Sequence, residues 1–348
     1  MRKKLLSLLA LLLTLTLILT ACSGKTGNQG QSAAGDKTGD KTYKIKVAAY
    51  FAYDHPQIVA MREKFKKIVE EESGGKITVE IYENNKLGSE EQFIDGVRNG
   101  TIEMAISGLL ISKDYPIIGM LEMPYLFRDY DHAYKALEEP GEIGKEMVKD
   151  MPDKLGVRVL DFTANGFRVI SSNRVIKKFE ELKGLKLRIP NAPRFIKFAE
   201  AIGANPVPMP LSEVFTALEQ KAIDGQENPY ATLRASSFYE VQKGVLDSRH
   251  MFSPNIYIIN EKFWQSLGPD LQKVVEKAAK ESAKYEWQLL KESESADIDF
   301  LKQKGLEVVY PDEEFKNKLI ESQKPVQQWF FDTLPGSKEI YEKIQAVQ

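Results

Sequence analysis

The chain has 348 residues, of which 43% are hydrophobic and 28% are charged. This composition excludes the disordered and fibrous classes of protein, and the length is sufficient for two domains. The 48 Lys and Arg residues nearly balance the 50 Asp and Glu residues, so the formal net charge is -2. Because no extended basic run follows residue 4, the sequence shows no electrostatic footprint for binding nucleic acid.

Residues 1–21 have the pattern of a secretory signal. A basic start is followed by a Leu-rich apolar run that is too short to span a bilayer comfortably. The run ends in Leu-Thr-Ala-Cys, and Cys22 is the only cysteine in the chain. This Leu-x-Ala-Cys pattern resembles the lipobox of bacterial lipoproteins, whose cysteine receives a diacylglyceryl group and becomes an acylated N-terminus. We therefore predict a lipid-anchored, extracytoplasmic protein; the alternatives are a secreted protein with an incidental cysteine and an uncleaved anchor.

Residues 22–42 have the composition of a flexible tether. After Cys22 they are rich in Gly, Ser, Thr and Asp, and they contain no aromatic or branched apolar residue. Such a segment cannot bury apolar surface. It is predicted to link the anchor to the folded body.

The body that follows alternates strand and helix patterns. Apolar residues at every second position predict strands at 44–50 and 76–82, with a helix between them that starts at Pro56. A capping box that begins at Ser89 predicts another helix, which ends at Gly100. This alternation is typical of the α/β class.

The pattern continues in the second half of the body. Strands are predicted at 157–163, 166–172 and 185–190. A run without Gly or Pro after Pro269, up to about residue 304, predicts a helix roughly 50 Å long at about 1.5 Å per residue. A helix of this length would contact both domains.

The motifs of common catalytic and metal sites are absent from the sequence. It contains no GxSxG, GxxxxGK[ST], GxGxxG or HExxH motif and no EF-hand loop. We predict neither a metal site nor a cofactor. His55 is predicted to be a solvated residue beside the start of a helix, with a place at the edge of a cleft as the alternative. His132 is predicted at the surface, and His250 is assigned no role.

Four motifs follow one another between residues 184 and 242. They read GLKLRIPN (184–191), GANPVPMPLSEV (203–214), DGQENP (224–229) and FYEVQ (238–242). With earlier runs at 87–89, 97–105 and 123–127, they resemble the solute-binding proteins of tripartite ATP-independent periplasmic (TRAP) transporters. The resemblance spans nearly the whole mature chain.

This resemblance implies two α/β domains around a hinge, in a clamshell that closes on a small organic acid. The domains would comprise residues 43–165 plus 255–293 and residues 166–254 plus 294–348, with the long helix spanning both. The receptor, predicted to be a monomer, would deliver its ligand to a membrane translocator that uses an ion gradient. No catalysis is implied.

The resemblance also implies which residues bind the ligand. Arg188, in the G-L-K-x-R-x-P motif, corresponds to the arginine that clamps the ligand carboxylate. The strand pattern agrees, because Leu187 and Ile189 face the core and Arg188 lies on the opposite face. Arg168 corresponds to a second family arginine. Asn228 corresponds to an asparagine that hydrogen-bonds the ligand near Arg188.

Neighbours of these positions complete the predicted site. Asn191 and Gln226 are expected next to the ligand or one layer behind it, and Glu227 is expected to hold an arginine in place. Leu211 stands where some relatives have an aromatic residue, and Ser107-Gly108 stands where acid-specific relatives have a carboxylate. These departures favour a polyhydroxylated monoacid such as a uronate or an aldonate.

Three questions remain open at this point: the role of Glu90, the class of ligand and the function. Glu90 is predicted to accept hydrogen bonds from ligand hydroxyls, or else to be a surface residue of the capping box. Two arginines would equally suit the two ends of a C4 dicarboxylate. A lipid-anchored glycan hydrolase and a ligand-binding sensor for a signalling kinase are the alternative functions.

Overall fold

Nine strands form one mixed sheet in the part of the chain that the structure describes. The computed structural model describes residues 41–139 and 141–348, so the predicted signal peptide, Cys22 and the tether up to residue 40 lie outside it. The strands are, in chain order, β1 (Tyr43–Ala49), β2 (Ile77–Tyr82), β3 (Met104–Ser107), β4 (Val157–Ser172), β5 (Lys186–Ile189), β6 (Asn205–Pro208), β7 (Gly225–Asn228), β8 (Gly244–Asn260) and β9 (Glu307–Val309).

The sheet has parallel strands at both ends and antiparallel strands in the middle. Its order is β2-β1-β3-β8-β4-β7-β5-β6, and β9 pairs with β8. β1 is parallel to β2 and β3, and β5 is parallel to β6 and β7. The long strands β4 and β8 run antiparallel to each other and connect the two parallel ends. The α/β class predicted from the sequence is confirmed.

Strand β4 corrects the prediction of two separate strands at 157–163 and 166–172. Asn165 lies between the two predicted strands and Gly166 begins the second, and Asn-Gly is a sequence typical of turns. The structure instead accommodates Gly166, with φ 111°, in a register shift between Ala164 and Gly166. A β-bulge of this kind bends a strand without ending it.

Twelve α-helices pack on the sheet within the described residues. They are α1 (Pro56–Ala60), α2 (Lys67–Glu72), α3 (Glu90–Asn99), α4 (Tyr130–Leu137), α5 (Glu142–Val148), α6 (Met151–Leu155), α7 (Pro193–Ala201), α8 (Leu211–Glu219), α9 (Tyr230–Ala235), α10 (Glu261–Gln303), α11 (Glu313–Thr333) and α12 (Ser337–Gln345). A π-helical segment, Met61–Lys66, joins α1 to α2. The predicted capping box of α3 is present, and its C-cap is Gly100.

The long helix α10 contacts three separate parts of the core. It is interrupted at Gly268, after which Pro269 begins the predicted continuous stretch. Ala279, Trp287 and Leu301 belong to three different hydrophobic clusters. The predicted long helix is therefore present and extends along the sheet from one cluster to the next.

The buried apolar side chains of the described residues form four hydrophobic clusters. Two of them contain residues of β1, β2, β3 and the N-terminal part of β4, whereas the other two contain residues of β5, α7 and α8. Val326, Phe330 and Ile344 lie in the first of these clusters, although the predicted boundaries place 294–348 with the second domain. All described residues belong to one compact unit. The two-domain boundaries stay a prediction.

The three histidines are all buried, which corrects two expectations. His55 is 1% exposed and is itself the N-cap of α1; it does not line the central cavity. His132, predicted at the surface, is buried against Phe127 and its Nε2 lies 2.8 Å from the carbonyl oxygen of Ile344. His250 contacts a site residue, as described below. No helix within the described ranges has both the length and the apolar composition that crossing a membrane requires.

Candidate functional site

A cavity of about 220 Å³ lies where several parallel strands end. Tyr50 follows β1, Gly108 follows β3, Asn191 follows β5 and Met209 follows β6, while Asn228 is the last residue of β7. In open α/β sheets, ligands bind in the crevice outside the carboxyl ends of the strands. The cavity is therefore in the place where the fold favours a ligand.

Arg188 is a buried cation that lines this cavity without a carboxylate partner. Its side chain donates from Nε (3.0 Å) and from Nη2 (2.7 Å) to the carbonyl oxygen of Met209. Those bonds use two of the five N–H groups of a guanidinium, and no hydrogen bond or ion pair among the described residues uses the other three. Burial lowers the pKa of Arg188 to about 10, so the side chain is still charged at neutral pH. The Met209 carbonyl orients this charge but does not neutralise it.

Arg168 also lines the cavity, but its charge is neutralised by Glu227, which lies outside the cavity lining. Its Nη2 donates to the Glu227 Oε1 (2.7 Å) and to the Glu227 carbonyl oxygen (2.6 Å), and its Nε donates to Oε2. Burial disfavours the charge of Arg168, but Glu227 outweighs this effect and holds the pKa above its ordinary value. His250 lies 3.3 Å from the same carboxylate, and burial lowers its pKa, so a neutral His250 donates to Glu227.

A third arginine, Arg194, is neutralised in the same way. Its Nε donates to Oε2 of Glu122 over 2.7 Å, and its Nη2 donates to the same oxygen. It also donates to Ser112 Oγ (2.8 Å) and to the Leu109 carbonyl oxygen (3.1 Å). Both members of the ion pair line the cavity, and their side chains are 4% and 3% exposed.

The cavity wall formed by Glu90 and Tyr50 presents acceptors and a hydroxyl. Glu90 Oε1 accepts a hydrogen bond of 3.1 Å from Ser107 Oγ. Burial, and then the charge of Glu122, raises the pKa of Glu90 to about 7. Asn255 donates to the Tyr50 hydroxyl oxygen over 2.8 Å, which leaves the Tyr50 O–H group to donate elsewhere. This wall suits a ligand that carries hydroxyl groups.

Six of the eight predicted site residues line the cavity. They are Glu90, Arg168, Arg188, Asn191, Leu211 and Asn228. Gln226 and Glu227 lie outside the lining. Gln226, two residues further from the end of β7, accepts a hydrogen bond of 2.6 Å from Asn228 Nδ2. Glu227 points from the opposite face of β7 and holds Arg168, which is the positioning role predicted for it.

Sequence reasoning missed several residues that line the cavity. They are Tyr50, Glu122, Asn165, Arg194, Phe195 and Ser253, among others. Tyr50 is the last residue of the strand predicted at 44–50, so the rule that ligands bind at carboxyl ends of strands would have identified it. Glu122 and Arg194 carry no such signal, because their partnership is formed only in the folded chain.

The described residues contain no side-chain cluster suited to a metal ion. Within residues 41–139 and 141–348, no group of three or more His, Cys, Asp and Glu side chains is arranged to hold a metal ion. The charges that line the cavity are arginines and carboxylates. Hydrogen bonds and charge in such an arrangement suit a small organic anion.

Comparison with known proteins identifies the family. The family described as bacterial extracellular solute-binding protein, family 7, matches residues 47–333. An uncharacterized protein of Haemophilus influenzae is 44% identical over 302 residues, which cover 86% of this chain and 90% of that protein. A 2,3-diketo-L-gulonate-binding periplasmic protein of Escherichia coli is 35% identical over 252 residues, covering 71% of this chain and 75% of that protein.

A solved structure agrees in fold as well as in sequence. The crystal structure of a TRAP periplasmic solute binding protein from Haemophilus influenzae, with bound L-gulonate, is 42% identical and has a TM-score of 0.85. The match covers 88% of this chain and 100% of that chain. The chain therefore belongs to family 7 of the bacterial extracellular solute-binding proteins, the solute receptors of TRAP transporters.

Proposed function

We propose that this receptor binds a sugar acid, with Arg188 as the clamp for its single carboxylate. The buried and unpaired charge of Arg188 carries the proposal. Moving a cation from water into the protein interior costs free energy, on the order of several kcal/mol per ion, unless an anion or hydrogen bonds compensate for it. A ligand carboxylate that accepts two parallel N–H bonds would supply that compensation.

The other two arginines support one carboxylate rather than two. Arg168 is paired with Glu227 and Arg194 with Glu122, so neither offers an uncompensated positive charge. A second ligand carboxylate would meet Glu90 and Glu122, which are both acidic, in the cavity wall. A C4 dicarboxylate is therefore disfavoured, and hydroxyl groups are favoured at the end of the ligand away from Arg188.

The size of the cavity and the ligands of relatives agree with this choice. A cavity of about 220 Å³ is smaller than the 300–1,000 Å³ of pockets for drug-sized molecules, so it suits a small solute. One similar structure holds L-gulonate, and one relative binds 2,3-diketo-L-gulonate. Both of these ligands are six-carbon sugar acids. An aldonate or a uronate of this size is the proposed ligand class.

The receptor would work by closing two lobes on the ligand and then docking on its translocator. In this proposal the two lobes would be built around the two pairs of hydrophobic clusters, and β4 and β8, which contribute to both, would connect them. Closure buries the ligand, and differential affinity for the closed form drives it. We propose that the protein is not an enzyme and that the closed form delivers its cargo to an ion-gradient-driven translocator.

A ligand screen tests the proposed function. Thermal unfolding would be recorded against L-gulonate, other aldonates, uronates, C4 dicarboxylates and the neutral sugars that match the acids. A ligand at 100 times its dissociation constant adds about 2.7 kcal/mol of stability, which raises the midpoint by a few degrees. Stabilisation by sugar acids, and not by neutral sugars, is expected. No shift with any acid would contradict the carboxylate clamp.

Replacement of Glu90 by Gln tests the hydroxyl-binding wall. The Glu90→Gln variant is expected to lose about tenfold in affinity for L-gulonate and to gain about tenfold for fumarate, as one hydrogen-bond change of about 1.4 kcal/mol implies. The pKa of Glu90 is raised to about 7, so the carboxyl group ionises as the pH rises from 6 to 8. Fumarate affinity of the wild type should therefore fall over this range, and that of the variant should not.

Titration calorimetry with a matched control decides this prediction. Asp95, exposed on the same helix and outside the cavity lining, provides the control variant Asp95→Asn. The control should behave as the wild type does with both ligands. Equal affinities of the wild type and Glu90→Gln for both acids, at both pH values, would remove Glu90 from the ligand site.

Lipid anchoring at Cys22 is also proposed, on the Leu-x-Ala-Cys pattern alone. The Cys22→Ser variant is expected to leave the membrane fraction and to lose incorporation of labelled palmitate. Retention of label in the variant would show that the acyl chains are attached elsewhere. Equal membrane association of the two proteins would contradict the anchor.

A further inference from the structure

The Arg194–Glu122 ion pair joins two parts of the chain that belong to different hydrophobic clusters. Arg194 lies in α7, next to Phe195, which packs in the third cluster. Its partners come from residues 109–122, and Leu109 and Leu121 pack in the first cluster. Four hydrogen bonds of one guanidinium therefore cross from one cluster to the other.

This pair differs from an exposed contact between the same two sides of the cavity. Asn191 donates to Glu91 over 3.2 Å, but both residues are exposed at the mouth of the cavity. Exposed polar contacts contribute little, because water competes for both partners. Arg194 and Glu122 are almost completely buried, so their attraction is not screened by solvent.

We propose that the Arg194–Glu122 pair is a clasp between the two lobes, which forms as the cleft closes and slows release of the ligand. The proposal rests on the proposed function and on its two-lobe arrangement. When the lobes separate, Arg194 must leave Glu122, Ser112 and Leu109 together, because all three partners lie on the opposite side. Arg194 is therefore a positioning residue: it stabilises the closed form of the receptor and so acts on ligand release indirectly.

A double-mutant cycle separates a clasp from two independent ligand contacts. The variants are Arg194→Met, Glu122→Met and the double variant, which leaves no unpaired buried charge. If the residues act as one clasp, the second substitution adds little to the first. The dissociation rate constant for L-gulonate is expected to rise about 10- to 100-fold in the double variant, with the association rate constant within about threefold of the wild type.

The control is a second bidentate pair that lies outside the cavity lining. Arg158 donates to Glu261 through two bonds of 2.9 Å, between β4 and the start of α10. The Arg158→Met/Glu261→Met double variant should release L-gulonate at the wild-type rate. Urea unfolding of the unliganded clasp variants shows whether each is folded. An unchanged dissociation rate in the folded double variant, or losses that simply add, would overturn the clasp.

A measurement without ligand keeps the clasp separate from the proposed function. Spin labels on Lys86→Cys and Glu213→Cys, exposed on either side of the mouth, report the opening of the cleft. In a Cys22→Ser background these would be the only thiols. Because the pair stabilises the closed form, the unliganded clasp variant is expected to populate long distances more, and short distances less, than the unliganded wild type. Identical distance distributions would overturn the clasp, whereas failure of every acid to bind would contradict only the proposed ligand class.

Discussion

Replacement of Arg188 by Ala is expected to weaken binding of a sugar acid by a factor of about 100 to 10,000, as the loss of two charge-assisted bonds implies. The unliganded protein should keep its stability. The side chain is 3% exposed and, among residues 41–139 and 141–348, has only the Met209 carbonyl as a hydrogen-bond partner, so its removal leaves no orphaned charge behind. Loss of binding without loss of stability would indicate that the Arg188 side chain serves the ligand and not the fold.

Titration calorimetry and urea unfolding of the same samples check this prediction. Arg174, an exposed arginine outside the cavity lining, gives the control variant Arg174→Ala, which should bind normally. Arg188→Lys should fall between the wild type and the Ala variant, because an ammonium group keeps the charge but loses the planar fork. Wild-type affinity in Arg188→Ala would exclude this residue as the clamp.

Replacement of Glu227 by Gln is expected to destabilise the protein by about 3–5 kcal/mol, the range for breaking a buried ion pair. Glu227 is 0% exposed and supplies the only carboxylate that pairs with Arg168 among the described residues. Gln keeps an oxygen acceptor but leaves the cation of Arg168 buried without a counter-charge. The affinity for the ligand should fall as well, because Arg168 lines the cavity.

The pH dependence of this loss gives a second check. Although burial opposes its ionisation, Arg168 holds the pKa of Glu227 below its ordinary value. The stabilisation is therefore fully present above the unfolded pKa of about 4.3 and is lost as the pH falls through the folded pKa. The gap between wild type and variant should close in acid.

An exposed ion pair provides the comparison for this variant. Glu80 pairs with Lys44 at 2.7 Å, and their side chains are 42% and 56% exposed. Glu80→Gln should change the stability by about 1 kcal/mol or less, as is usual for surface pairs. If Glu227→Gln unfolds at the same urea concentration as Glu80→Gln, the buried pair does not stabilise the fold.

The parts of the fold that depend on local chemistry could be predicted from the sequence. The Ser89 capping box, the Gly100 C-cap and the start of α1 at Pro56 are each set by residues within a few positions. The continuity of β4 could not be predicted, because pairing with β8 on both sides of Asn165 holds Asn165-Gly166 in the strand. Long-range pairing overrides a local turn signal in this case.

The same distinction between local sequence signals and long-range contacts explains which residues of the candidate site could be predicted. Arg188 and Asn228 lie in motifs that the family resemblance identified, and both line the cavity. Arg194 follows Pro193 in the first turn of α7, and nothing in the local sequence distinguishes it from an ordinary helix residue. Its partner Glu122 lies 72 residues away, so only the folded chain brings the pair together. The burial of His250 against Glu227 could not be predicted from the sequence for the same reason.

The two long strands β4 and β8 also decide how the molecule can be divided. Each contributes residues to clusters on both sides of the cavity, and each pairs with the other along most of its length. No single cut in the polypeptide would release one side with its core intact, because β3 depends on β8 and β7 depends on β4. Truncated versions of this receptor would lack part of their sheet. Loss of pairing along either long strand should therefore expose apolar residues on both sides of the cavity at once.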